Sequence, residues 1–128
     1  MADPSAVLSA VNVAPHTPAD YLGSLEVLRT YAMRVARRML LRRCCEEGHP
    51  VLAIEEDLVQ MARSRLQEFL LASYSPDDLA GVRPAVHQAV QRAASAWIVA
   101  ADGDQDVKSS LLEQLDGLSE DDLVPSVH

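Results

Sequence analysis

The chain has 128 residues, 48% of them hydrophobic and only 4% aromatic, which is enough for one domain with a real core and excludes a disordered chain. With Tyr21, Tyr31, Phe69, Tyr74 and Trp97 as the only aromatics, the core must be built from Leu, Val, Ile, Met and Ala, a set that suits packed helices better than a sheet. The formal charge of −8 sits at one end: residues 1–99 carry 11 acids and 10 bases, whereas residues 100–128 carry 8 acids against Lys108 alone.

Residues 1–16 are small and mixed, with Pro4 and Pro15 bracketing Ala6–Val11, and read as a flexible or weakly helical N-terminal segment. The start has no basic region and no long apolar stretch, so no signal peptide is expected. No run approaches about 18 uninterrupted apolar residues, so no membrane span is expected either.

The first strong helix signal is Thr17-Pro18-Ala19-Asp20. Thr17 can cap a helix, Pro18 fits its first position, and Asp20 suits the positive end of its dipole. Gly48 and Pro50 supply the stop. Between them lie about thirty residues, roughly 45 Å of helix at 1.5 Å per residue. Tyr21, Leu25, Leu28, Ala32, Val35 and Met39 recur at spacings of four and three, which makes a heptad-like seam. Six of the ten arginines before residue 100 fall between Arg29 and Arg43. Projected at roughly 100° per residue, Arg34, Arg37, Arg38 and Arg42 share one arc, opposite that seam, while Arg43 projects toward it.

A second helix is expected from about Pro50 to Ser73, with Val51, Ile54, Leu58, Met61, Ala62, Leu66, Phe69 and Leu70 as its apolar stripe and Glu55, Glu56 and Asp57 in its early turns. The connection is short, so the two helices should form an antiparallel hairpin. Ser75-Pro76-Asp77-Asp78 starts another helix, which Gly81 and Pro84 are expected to end after about one and a half turns. Pro84 then opens a helix that runs to Gly103, with Val86, Ala89, Val90, Ala93, Trp97 and Ala100 facing inward. Asp106 is expected to cap a final amphipathic helix carrying Leu111, Leu112, Leu115 and Leu118, and Ser119-Glu120-Asp121-Asp122 to begin one last turn before Pro125.

The fold class that follows is all-α: a helical bundle built on a long antiparallel helix hairpin, with shorter helices following. Its parts are the segment 1–16, a helical core domain over 17–103, and an acidic C-terminal helix and tail over 104–128. The early helices outrun the later ones, so a homodimer along Tyr21, Leu25, Leu28, Val35 and Met39 is expected to cover the excess seam.

The motifs favour binding over catalysis. No Gly-rich phosphate loop, G-x-S-x-G or His-Glu-x-x-His is present, and no spacing ties a serine to a base. No cofactor is implied. Cys44, Cys45 and His49 lie close together, but neighbouring helix positions point about 100° apart and a structural zinc site needs four convergent ligands. Asp102, Asp104, Asp106 and Glu113 match calcium-loop positions, yet Val107 stands where the loop needs glycine. No metal site is therefore expected. The adjacent cysteines are poorly placed to bridge each other, which fits a reducing, cytoplasmic location.

The leading expectation is a non-enzymatic protein–protein interaction module, such as an adaptor, assembly factor, chaperone or regulatory subunit. Its partner-binding residues would be Arg34, Arg37, Arg38 and Arg42, joined by Leu111, Leu115 and Leu118 of the acidic segment. Set against this is an ordinary solvated helix face, partly paired with Glu46, Glu47 or the acidic start of the second helix. A rival assigns the same arginines to nucleic acid or a phosphate ligand, which the net negative charge disfavours. A second rival is a small-molecule or metal sensor with a pocket near Trp97, Met39 or Met61.

Overall fold

The structure is a computed structural model and describes residues 18–46 and 48–125, with side chains from residue 26. The segment 1–16 and Thr17, the expected cap of the first helix, lie outside the described residues. Among the described residues five helices follow in order: α1 (Pro18–Cys44), α2 (Pro50–Ser73), α3 (Pro76–Ala100), α4 (Gln105–Asp116) and α5 (Glu120–Leu123). Among the described residues there is no strand, so the chain is all-α.

Local chemistry explains where the helices begin. His49 caps α2 by accepting a hydrogen bond from the Val51 N–H at 3.2 Å, with Pro50 at the first helical position. Gly48 reaches it through a φ of +89°, a conformation that a side chain would strain. Ser75 caps α3 through the Asp78 N–H. Asp104, two residues earlier than expected, caps α4 by accepting from the Asp106 N–H at 2.7 Å. Ser119 and Asp122 form a reciprocal capping box on α5.

Helix α1 is the spine: α2 packs along it, α3 packs along it, and α4 touches it near its end, while α4 and α5 both pack on α3. Leu28, Tyr31, Ala32, Val35 and Ala36 of α1 are buried in a single cluster with Val59, Ala62, Leu66 and Leu70 of α2. Leu79, Val82, Val86, Val90, Ala94 and Ile98 of α3 complete it from the other side. Burying such aliphatic side chains stabilises by about 1.5–3 kcal/mol each, before the cost of ordering the chain.

That packing overrides the expected break in α3. The helix runs unbroken through Gly81 and Pro84, both exposed, with Pro84 inside it. The proline sacrifices one N–H and faces solvent, while Leu79, Val82 and Val86 on either side of it keep one continuous buried stripe. The inward face also drifts late in the helix: Ala94 and Ile98 are buried, Trp97 is half-buried and Ala100 is exposed.

Helix α2 turns differently from expectation as well. Its buried residues are Leu52, Glu55, Val59, Ala62, Leu66 and Leu70, while Val51, Ile54 and Met61 point outward. The apolar arc is wider than α1 can cover, and the position of Glu55 decides which side is hidden.

The acidic C-terminal segment belongs to the same core. Leu111, Leu115, Leu123 and Val124 are buried in the cluster that holds α1 to α3. Arg83 secures the end of the segment with Nε on Glu120 at 2.9 Å, Nη1 on the Pro125 carbonyl at 2.7 Å and Nη2 on Asp121 at 3.3 Å. Arg63 bridges the Tyr31 hydroxyl at 3.1 Å and the Asp122 carbonyl at 3.2 Å, and Gln91 donates to the Leu115 carbonyl.

Two measurements check this account. Pro84→Ala restores the N–H that the Ala80 carbonyl lacks, so the urea midpoint should rise by the equivalent of about 1–3 kcal/mol. A lower midpoint would mean that the ring itself is needed. The Asp122 carboxyl is held below its ordinary value of 3.8 by the Ser119 backbone N–H and then by the Ser119 hydroxyl. A carboxyl lowered by folding contributes stability above its unfolded pKa and loses it as pH falls through the folded value. The gap in melting temperature between wild type and Asp122→Asn should therefore be widest near neutral pH and close below about pH 4.

Candidate partner-binding surface

The sequence puts arginine at 34, 37, 38 and 42, positions one helical turn apart along α1. The structure turns this arc toward α2 rather than away from the bundle, which corrects the expected open face and agrees with the alternative of pairing with the acidic start of the second helix. Two consecutive carboxylates of α2 stand across it. Arg37 Nε lies 2.6 Å from Glu55 Oε1, and Arg34 Nη1 lies 3.7 Å from the same oxygen. Arg42 Nη2 pairs with Glu56 Oε1, and Arg38 Nη1 lies 3.5 Å from Glu56 Oε2.

The two carboxylates do different work. The Glu55 side chain is only 4% exposed, so its charge is largely out of water and depends on the guanidinium groups around it. Glu56 is 34% exposed, and its partner Arg42 is 62% exposed, an arrangement in which water competes with the pair. Four guanidinium groups meet two carboxylates, which leaves a local excess of positive charge. Arg43, exposed in the last turn of α1, adds to it and has no ion-pair partner among the described residues. The Arg38 Nε atom is buried and has no hydrogen-bond acceptor among them.

Beside this cluster, α1 and α4 leave a cleft of about 350 Å³. Its apolar surface comes from Met39, Leu111 and Leu118, and its polar surface from Arg38, Arg42, Arg43 and Gln114. A second hollow of about 390 Å³ opens at the turn between α1 and α2, lined by Arg42, Gly48, His49, Leu52, Ala53 and Glu56. Arg42 borders both.

The other sequence-derived site residues fare unevenly. Leu111 and Leu115 are buried in the protein's own core, so they are not a free docking face. Leu118 is partly buried and reaches the cleft. The proposed dimer seam is also occupied internally: Leu28 and Val35 are buried against α2 and α3, and Met39 packs on the same core. The side chains of Tyr21 and Leu25 lie outside those described. Where its side chains are described, the seam is covered by α2 and by the unbroken α3, so Leu28 and Val35 are not available to a second chain.

Met39 and Met61 do not share a pocket, since Met61 is exposed on the outer side of α2. Among the described residues, no group of three or more His, Cys, Asp or Glu is placed to hold a metal ion. Cys44 is exposed and Cys45 half-buried, both as free thiols. No described helix is long and apolar enough to cross a membrane.

Compared with known protein families, curated proteins and solved structures, the chain finds no match in any of the three. The site therefore rests on its own chemistry.

Sequence reasoning missed the individual roles of Glu55 and Glu56. A signal for Glu55 was present: it interrupts the stripe Leu52, Val59, Ala62, Leu66 at an inward-facing position, where a carboxylate needs a cationic partner on the facing helix. Glu55→Gln should cost about 1–3 kcal/mol in urea unfolding, less than for a fully enclosed pair, because Arg34 and Arg37 can turn to water. A neutral result would show that the pair contributes nothing to the setting of α2.

Proposed function

We propose that this protein is a non-enzymatic protein–protein interaction module whose docking surface is the arginine-rich end of α1 with the adjoining cleft against α4. The observation that supports this most directly is the charge imbalance around an open cavity. Four guanidinium groups, Arg34, Arg37, Arg38 and Arg42, share two carboxylates, and Arg43, unpaired among the described residues, stands beside Arg38 and Arg42 at a cleft with an apolar floor. Guanidinium groups stay protonated throughout the physiological range, so they suit holding an anion rather than exchanging protons in catalysis. The cleft is large enough for a few side chains, and Met39 and Leu118 would favour an aliphatic one.

The partner in this reading is a protein segment that is acidic and carries leucine-like residues. The α1–α2 hairpin is the rigid platform, and the acidic α4–α5 segment walls the cleft instead of reaching outward as a binding arm. Nucleic acid is less favoured, because the apolar lining of the cleft among the described residues is Met39, Leu111 and Leu118, with no aromatic ring on which a base could stack. A reducing, cytoplasmic setting accords with two free thiols at the end of α1.

Fluorescence anisotropy tests the reading with a labelled amphipathic peptide that has leucines at every third or fourth position and glutamates between them. Wild-type protein should bind it, and the pair Arg42→Glu, Arg43→Glu should lose at least about tenfold in affinity, roughly 1.4 kcal/mol. Unchanged binding by that variant, or tighter binding of a single-stranded oligonucleotide, would sink the reading.

A further inference from the structure

We infer that Glu56 is a resident competitor: it occupies on Arg42 and Arg38 the place that a partner's carboxylate takes on binding. The inference rests on the proposed docking role of the α1–α4 cleft and deepens it by assigning what the incoming group must displace.

Three observations carry it. The first is the contrast between neighbours. Glu55 and Glu56 are consecutive and both face arginines of α1, yet the Glu55 side chain is nearly sealed and that of Glu56 is one-third exposed. A sealed carboxylate cannot leave its partners without a large desolvation penalty, whereas a solvated pair contributes little and exchanges readily. Glu55 is therefore a structural anchor, and Glu56 is replaceable.

The second is position. Arg42 borders both the cleft against α4 and the hollow at the α1–α2 turn, and Glu56 lines the latter. Their ion pair thus stands at the junction of two cavities of about 350 and 390 Å³. When Glu56 turns outward, Arg42 is free to face an anion in the cleft.

The third is unused donor capacity. Arg38 meets Glu56 with one nitrogen at 3.5 Å, and its Nε is buried without an acceptor. A guanidinium group binds a carboxylate best as a two-pronged fork, and Glu56, shared with Arg42, does not provide that. A carboxylate arriving from the cleft can take the place of Glu56 on Arg42 and Arg38, with Arg43 beside them, while an aliphatic neighbour sits on Met39 and Leu118. The occupant is accordingly a peptide segment with a carboxylate next to an aliphatic side chain.

The experiment uses the full chain and the same labelled leucine–glutamate peptide. Glu56→Gln removes the competing charge but keeps the shape, so affinity should rise about threefold or more. Asp57→Asn is the control: it deletes one negative charge at the next position, where no ion pair with the arginines is formed, and should change affinity less than about twofold. Equal gains in both variants would show only a general field effect and overturn the assignment of Glu56. Wild-type binding that is lost in Arg42→Glu, Arg43→Glu but not strengthened in Glu56→Gln would leave the docking surface standing and remove the competitor. Failure of wild type and Glu56→Gln alike to bind the peptide would defeat the docking surface and this inference together. A gain in affinity for an oligonucleotide exceeding that for the peptide would overturn the choice of occupant.

Discussion

The setting of α2 on α1 depends on one nearly buried carboxylate. Glu55 lies in the middle of the contact stripe of α2, with Arg37 Nε 2.6 Å away and Arg34 completing its surroundings. A negative charge there tolerates only one rotation of the helix, the one that brings it to the arginines. That rotation hides Val59, Ala62 and Leu66 and turns Ile54 and Met61 to solvent. It also places Glu56, one residue further on, against Arg42. The anchor and the exchangeable pair are thus consecutive outcomes of the same helical turn.

Much of the architecture was legible in the sequence because helix ends are governed by local chemistry. Pro50 to Ser73 was readable from a glycine–proline stop and a serine–proline start, and α2 has those bounds. The turn at Ser119 was readable from its capping pattern. What could not be read was decided by neighbours. Pro84 looks like a terminator in isolation, but the side chains before and after it share one stripe that α1 buries, and the lost hydrogen bond is a small sum against that burial. Likewise, the leucines of α4 look like an adhesive edge until α3 is seen to cover Leu111 and Leu115.

The candidate surface shows the same division. The arginine cluster was visible as a periodic arc, and its chemistry follows from residue type alone. Which of two orientations it takes, open or paired with the acidic start of α2, was not, because a helix whose apolar face is wrapped on two sides has little truly outer face left. With α2 on one flank of α1 and α3 on the other, the arginine arc falls partly inside an interhelical contact, and its free capacity is what remains after Glu55 and Glu56 are served. The cleft with Met39 and Leu118 could not be anticipated, since it joins residues far apart in the chain.

The grip of Arg83 on the segment from Glu120 to Pro125 has a consequence for how the molecule comes into being. Leu123 and Val124 close the core over residues laid down roughly a hundred positions earlier, so a growing chain carries an uncovered apolar face on α3 until α4 and α5 emerge. The wall of the cleft is likewise made after the arginines it adjoins. A nascent chain that has not yet reached α4 would present those arginines without the pocket beside them, so the proposed docking surface is assembled only once both ends of the described fold are present.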